Sequence, residues 1–220
     1  MENKTFHLLR QWYGLKSFVW YARLYGYTFR VARSATDLEA VYHIRWKVYQ
    51  GTGYILAEAH PHQQMKDEYD AWSMNLLACH RGKPVGTLRM TPLDKGSPIL
   101  ELFGVEQWPK PSKTIEIGRF AVLPEVRKGR IVALGLLAKM NEWSLRSGVE
   151  WWVGYAPRPL LKTFYEMIRY EEIPVLPVGE REKAARQKMA GYFERYKKWL
   201  TVFRIRTDWV TTWKWHKVIS

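Results

Sequence analysis

Thr114-Ile115-Glu116-Ile117-Gly118-Arg119-Phe120-Ala121-Val122, followed at once by Leu123-Pro124-Glu125-Val126-Arg127-Lys128-Gly129-Arg130, is the stretch from which the rest of the chain can be read. Alternation and β-branched residues predict a strand over 114–122, and Pro124 opens a long apolar-periodic helix over 125–146 that stops before Gly148. Strict alternation sets Glu116 and Gly118 on one face, with Ile115, Ile117 and Arg119 on the other. A charge among isoleucines is costly unless it is paired. A β-bulge near Gly118 would bring Arg119 round to the face of Glu116, and glycine inside a strand often marks one. A bulge also turns backbone N–H groups out of the ladder, which suits a tetrahedral oxyanion. The plainer reading is a Glu–Arg ion pair on a solvated face. The helix start, with Arg127, Lys128, Gly129 and Arg130, would attract a phosphate, or is simply solvated.

Working outward, residues 6–25 read as an amphipathic helix through Leu8, Trp12, Leu15, Val19, Ala22 and Tyr25. Residues 27–32 read as a strand, and Ser34 caps a helix reaching about residue 49. A long loop covers 50–65. Strands over 73–80 and 84–91 flank Arg81-Gly82-Lys83 as a hairpin. After the 125–146 helix come a strand over 150–155, a helix over 157–169 and a strand over 173–178, whose two prolines put it at an edge. A charged helix spans 180–197, and 199–218 alternates loosely as one or two strands. The expected fold is mixed α/β: one domain over 1–220, with a central twisted mixed sheet flanked by helices.

The 220 residues carry a net charge of +14, and its location matters more than its size. Residues 1–33 hold six basic groups against one acidic, 34–180 hold 18 against 17, and 181–220 hold 11 against three. The expected extensions, 1–30 and 180–220, are thus basic, and both are aromatic. Such ends suit an anionic membrane surface, an acidic protein or nucleic acid, or are core rings beneath a solvated charged face. The cations fall outside any recognisable nucleic-acid motif, so nucleic acid is set aside as a partner. The longest apolar run, 131–138, is too short to span a bilayer. Lys4, Arg10 and Lys16 interrupt any secretory signal. One cysteine, Cys79, fits a reducing compartment, and no metal site is expected. The expectation is a cytoplasmic protein.

Four further polar positions stand in the nearly neutral middle: Arg45 on the first internal helix, Asp67 and Asp70 before a strand, and Arg89 closing the strand Val85-Gly86-Thr87-Leu88-Arg89. Tyr165, within Phe164-Tyr165-Glu166, is either a proton donor to a leaving thiolate or a core residue. In order, the strand, the helix opening Arg-Lys-Gly-Arg, the next strand and Phe164-Tyr165-Glu166-Met167-Ile168-Arg169-Tyr170 resemble the GNAT-type N-acyltransferases. Arg45, Asp67-Glu68-Tyr69-Asp70, Gly86-Thr87-Leu88-Arg89 and Glu116-x-x-Arg119-Phe120 are similar to acyl-homoserine-lactone synthases and long-chain N-acyl amino acid synthases, over about residues 30–178.

That resemblance implies acyl transfer from a thioester to an amine, by an enzyme without a tightly bound cofactor. It implies Glu116 as base, an oxyanion held by the backbone around Arg119, Phe120 and Ala121, and Tyr165 as proton donor. Arg45, Asp67, Asp70 and Arg89 would shape the acceptor pocket together with Arg119. The sequence from Arg127 to Val132 lacks both glycines of the usual coenzyme A loop, which favours an acyl carrier protein, docked through its phosphopantetheine arm on Arg127, Lys128, Gly129 and Arg130. The implied product is an N-acyl amino acid whose acceptor could be aromatic, such as tyrosine. The alternatives are a homoserine-lactone synthase using S-adenosylmethionine, a coenzyme A-dependent acetyltransferase and, outside enzymes, a basic nucleic-acid-binding module. An amphiphilic product would also give the basic, Trp-rich ends a use at the inner membrane face.

Overall fold

In the computed structural model, residues 17–55, 58, 60–127, 130–165, 168–187, 192 and 200–208 are described, with backbone alone at 162–165, 181 and 185. The strands are β1 (Tyr27–Val31), β2 (Met74–His80), β3 (Lys83–Pro92), β4 (Thr114–Val122), β5 (Trp151–Pro157), β6 (Glu171–Glu172) and β7 (Leu200–Arg206). They form one sheet in the order β1-β2-β3-β4-β5-β7-β6. Every neighbouring pair is antiparallel except β4 and β5, which are parallel. The helices are α1 (17–24), α2 (Ala35–Gly51), α3 (Pro98–Leu102), α4 (Ile131–Arg146), α5 (Arg158–Tyr165) and α6 (Glu180–Gln187). The mixed α/β architecture of the expectation is what the structure has.

Both faces of the sheet are covered, so β2 is apolar at nearly every position. Leu76 and Ala78 share a core with Leu134, Leu136 and Met140 of α4, while Leu77 and Cys79 pack with Val41, Ile44 and Val48 of α2. A third cluster joins Ile99, Leu102 and Phe103 to Val153 and Val202. The hairpin between β2 and β3 turns on Arg81 (φ 49°) and Gly82 (φ 78°), the left-handed pair of a type I′ turn. Ser34 caps α2, its hydroxyl accepting from the Asp37 N–H at 3.1 Å.

The bulge lies in β4. Thr87 pairs with Ala121 and Arg89 with Gly118, so Arg119 and Phe120 together oppose Leu88. Arg119 has φ 50°, and the extra residue reverses the alternation. Ile115 and Ile117 lie toward α4, as do Phe120 and Val122 after the bulge, whereas Ala121 and Leu123 pack under α2. Just before it, β4 and β5 part company. Their pairing runs only from Thr114 with Trp151 to Glu116 with Val153, while β5 stays paired with β7 to Pro157. At the fork, a Cβ on Gly154 would lie 2.8 Å from Phe203 and 3.1 Å from the Ile117 carbonyl, so only glycine fits.

Several boundaries depart from expectation. The 125–146 helix is a 3-10 turn (Pro124–Val126) followed by α4, because Arg130 adopts the left-handed conformation at the cap (φ 54°) and breaks the run. The 173–178 strand is absent: the edge strand is Glu171–Glu172, and past the Ile173 N–H bond to Val202 the prolines leave the chain irregular. Of the expected 157–169 helix, Arg158–Tyr165 is helical, residues 166–167 fall outside the described residues, and 168–169 are not helical. The first 16 residues of the chain, the end of the charged helix and residues 209–220 fall outside the described residues.

α4 sits close to the sheet because Gly135 has no side chain. A Cβ there would meet the Phe29 ring at 2.0 Å. Gly135→Ala should therefore lower stability by about 1–3 kcal/mol in urea unfolding, and Phe29→Leu in the same chain should show positive coupling in a double-mutant cycle. Simple additivity of the two changes would refute this packing account.

Candidate active site

Asp67 is the hinge of the polar site. It caps the 3-10 turn Glu68–Ala71, accepting from the Tyr69 N–H at 3.1 Å, while its own N–H donates to Asp70 at 3.1 Å. This reciprocal cap aims both carboxylates inward. Asp67 accepts from Arg89 Nη1 at 2.5 Å and from Arg119 Nη2 at 2.8 Å, one oxygen to each guanidinium. Asp70 accepts from Arg45 Nη1 at 2.9 and 3.0 Å, and Arg45 also donates to the Asn75 side chain. The sheet register sets Asn75, Arg89 and Gly118 side by side on three strands. Arg45 and Arg89 are 0% and 1% exposed, so their reach is into the protein, not into solvent. Arg119, at the bulge, is the member that lines open space.

Glu116 is buried on the same side of β4. Its Oε2 accepts from the Ser97 hydroxyl and from the Ile99 N–H at 2.9 Å. Its Oε1 lies beside Gly118, 3.1 Å from where a Cβ would stand. Burial pushes the Glu116 carboxyl up, against the opposing pull of Ser97, Arg89, the Ile99 N–H and Arg119. Burial also acts against the Asp67 charge, but Arg89 and Arg119 outweigh it and hold that carboxyl below its usual range. Burial raises the Tyr49 and Tyr155 phenols, so both remain neutral O–H groups at ordinary pH.

A cavity of about 740 Å³ opens where β4 and β5 part. Leu88, Ile117, Leu134, Trp152, Phe203 and Ile205 make its inner walls apolar, and exposed Arg127 and Arg130 line it beside the α4 N-terminus. Around Arg119 it is ringed by Tyr49, Tyr54, Tyr155 and Tyr192. These rings touch in series, with centroids 5.8 Å apart for Tyr49 and Tyr54, 5.0 Å for Tyr54 and Tyr192, and 5.9 Å for Tyr155 and Tyr192. Size and lining are those of a small-molecule site: mostly apolar, with a few polar groups converging at one point.

A family model, N-acyl amino acid synthase FeeM, matches residues 40–173. The chain belongs to the N-acyl amino acid synthase FeeM family. It is an acyltransferase with a GNAT-like fold. Among solved structures, the acyl-homoserine lactone synthase BjaI superposes with a TM-score of 0.64 at 20% identity, covering 84% of this chain and 83% of that one. FeeM itself, from uncultured soil microbes, gives 0.58 at 14% identity over 87% and 93%. The AHL synthase LasI gives 0.61 at 14% over 82% and 90%. No curated protein is significantly similar to the chain in sequence.

Of the residues singled out from sequence, Arg45, Asp67, Asp70, Arg89, Glu116 and Arg119 come together. Arg119 and Phe120 line the cavity, and Ala121 is buried beneath α2. Arg127 and Arg130 line it as well, while Lys128 and Gly129 lie outside the described residues. Tyr165 ends α5, and its side chain is outside them too. Sequence reasoning missed Ser97, Asn75 and the four tyrosines. Ser97-Pro98 is a helix-start signal that would have found α3 and with it the Glu116 clasp. Nothing local marks the tyrosines, which converge from α2 and the turn after it, from β5, and from residue 192.

Asp67→Asn should cost about 3–5 kcal/mol at pH 7, since Arg119 loses the Asp67 charge and Arg89 keeps only its longer 3.5 Å contact to Asp70. Because the folded pKa of Asp67 lies below the unfolded value of about 3.9, the wild-type advantage is complete above that pH and lost as pH falls through the folded value. Urea unfolding of both proteins at pH 7 and near pH 3 checks this. An equal gap at the two pH values would remove Asp67 from the account.

Proposed function

We propose that this acyltransferase moves a long-chain fatty acyl group from the thioester of an acyl carrier protein to the α-amine of an amino acid, giving an N-acyl amino acid. One observation carries the reading: an apolar cavity about 740 Å³ in size extends from Arg127 and Arg130 to the β4 bulge, with a buried carboxylate behind Gly118. The fatty chain lies along the apolar walls, where each buried methylene adds about 0.8 kcal/mol. Arg127 and Arg130 take the single phosphate of the carrier arm and face the acidic carrier.

The amine must lose a proton to attack. Glu116 Oε1 takes it through the gap that the missing side chain at Gly118 leaves, while Ser97 and Ile99 occupy Oε2 and fix the carboxylate's orientation. Nitrogen adds to the thioester carbon, and the oxyanion is met by the backbone of the bulge at residues 119–121. Collapse breaks the C–S bond and releases a thiolate, to which we assign Tyr165 as proton donor; the second proton, shed by the nitrogen as the amide forms, restores the Tyr165 hydroxyl. Arg119, kept cationic and oriented by Asp67, holds the acceptor's carboxylate, with Asp70, Arg45 and Arg89 bracing it from behind. The ring of tyrosines beside Arg119 favours an aromatic acceptor such as tyrosine. The amphiphilic product would pass from a cytoplasmic enzyme to the inner membrane face.

Mass spectrometry of lipid extracts from expressing cells tests the reading: an acylated amino acid is expected. A lactone, with S-adenosylmethionine consumed, or no new acyl amide, would overturn it. Glu116→Gln should lower kcat by about 10²–10⁴-fold and abolish the acidic limb of the pH–rate profile. Since the Glu116 pKa is already raised, wild-type rate falls as pH drops through it. Ser97→Ala removes a donor to the charged form and should move that limb to higher pH, with Ser97→Thr restoring it. Gly118→Ala, folded as wild type by circular dichroism, should slow turnover by crowding Oε1. Full activity in Glu116→Gln and Gly118→Ala would dismiss the base.

A further inference from the structure

α1 is apolar on two opposite sides. Phe18 and Ala22, four residues apart, are fully buried in the core that α4 shares with the sheet. Trp20 and Leu24, also four apart, stand 63% and 64% exposed, and Tyr25 beside them is 54% exposed. The inward side anchors the segment to the sheet. The outward side is a ridge of large apolar groups in water, the arrangement a lone surface helix avoids.

Cations stand beside the ridge. Arg23 lies within it and is exposed. Gly26, where the segment ends, touches the β2–β3 turn: the Arg81 N–H donates to the Gly26 carbonyl at 2.8 Å, which brings exposed Arg81 and Lys83 alongside. The sequence holds no Asp or Glu from residue 3 to residue 36, but six Lys and Arg. Among the described residues no helix is long and apolar enough to cross a membrane.

We propose that Trp20, Leu24 and Tyr25, flanked by Arg23, Arg81 and Lys83, form a docking surface for an anionic lipid bilayer. Trp and Tyr rings favour the headgroup zone and Leu the acyl boundary, while the cations meet lipid phosphates. Phe18 and Ala22 stay in the core, so contact requires no unfolding of α1. An acidic protein would satisfy the cations equally well; the exposed Trp–Leu ridge is what selects lipid. The surface goes beyond the acyl-transfer reading and is independent of it, because binding is measured without substrate.

The test is cosedimentation of the full chain with phosphatidylglycerol-containing vesicles and with pure phosphatidylcholine vesicles, at low and high salt. Binding to the anionic vesicles at low salt is expected, weakened by salt. Trp20→Ser with Leu24→Ser should reduce the bound fraction about tenfold or more, leaving acyl transfer from a soluble donor unchanged. Arg23→Glu with Arg81→Glu and Lys83→Glu should do the same through charge alone. No binding to anionic vesicles at low salt, equal binding by both variants and wild type, or a loss confined to retention on acidic protein or nucleic acid would each overturn the proposal. Failed acyl transfer with intact vesicle binding would count against the enzyme reading instead.

Discussion

One extra residue in β4 organises the site. A regular strand would send Arg119 to the α4 face with Ile115 and Ile117, into the apolar core. The bulge turns it to the α2 face, where Asp67 waits at 2.8 Å, and returns Phe120 and Val122 to the core. The left-handed backbone at Arg119 carries a conformational cost of about 1–3 kcal/mol, tolerated because the guanidinium is bridged and the rings beyond it are packed. β5 leaves β4 just before this point, and the cavity fills the fork. A kink in one strand and an opening between two are thus parts of the same local event.

The buried charges make sense only as a set. Arg45 and Arg89 alone inside a sheet-helix interface would be intolerable, and burial does lower the pKa of Arg45. Two carboxylates clamped in one capping turn serve three arginines from α2, β3 and β4. The excess positive charge appears at Arg119, which faces the cavity. Glu116 is held apart from this set: its partners are a hydroxyl and a backbone N–H, not a guanidinium. Burial keeps its pKa raised, because these donors offset the lost solvation only in part, and one oxygen remains turned toward Gly118. The same chain therefore keeps one acid strongly ionised and another poised, by giving them different partners.

Much of this was legible from residue order. The strand–helix–strand run, a hairpin at Arg81-Gly82-Lys83, the Ser34 cap and, as one of two readings, a bulge near Gly118 follow from periodicity, turn chemistry and the cost of a charge among isoleucines. Where expectation and structure differ, a local conformation intervened. Arg130 in the left-handed region delays α4, and the prolines after Ile173 reduce an expected strand to two residues. Ser97 was passed over because a serine before proline in a loop looks ordinary until Glu116 is seen above it.

The amino acids alone determined the family of folds, the polar set from Arg45 to Arg119 and the basic character of the ends, since these depend on composition and on neighbours within a few positions. Tertiary structure decided that Oε1 of Glu116 lies beside Gly118, that four distant tyrosines share one wall, and that α1 turns Trp20 and Leu24 outward. Those outcomes depend on how far strands diverge and which helix face is already covered, and both are set by packing between segments far apart in the chain.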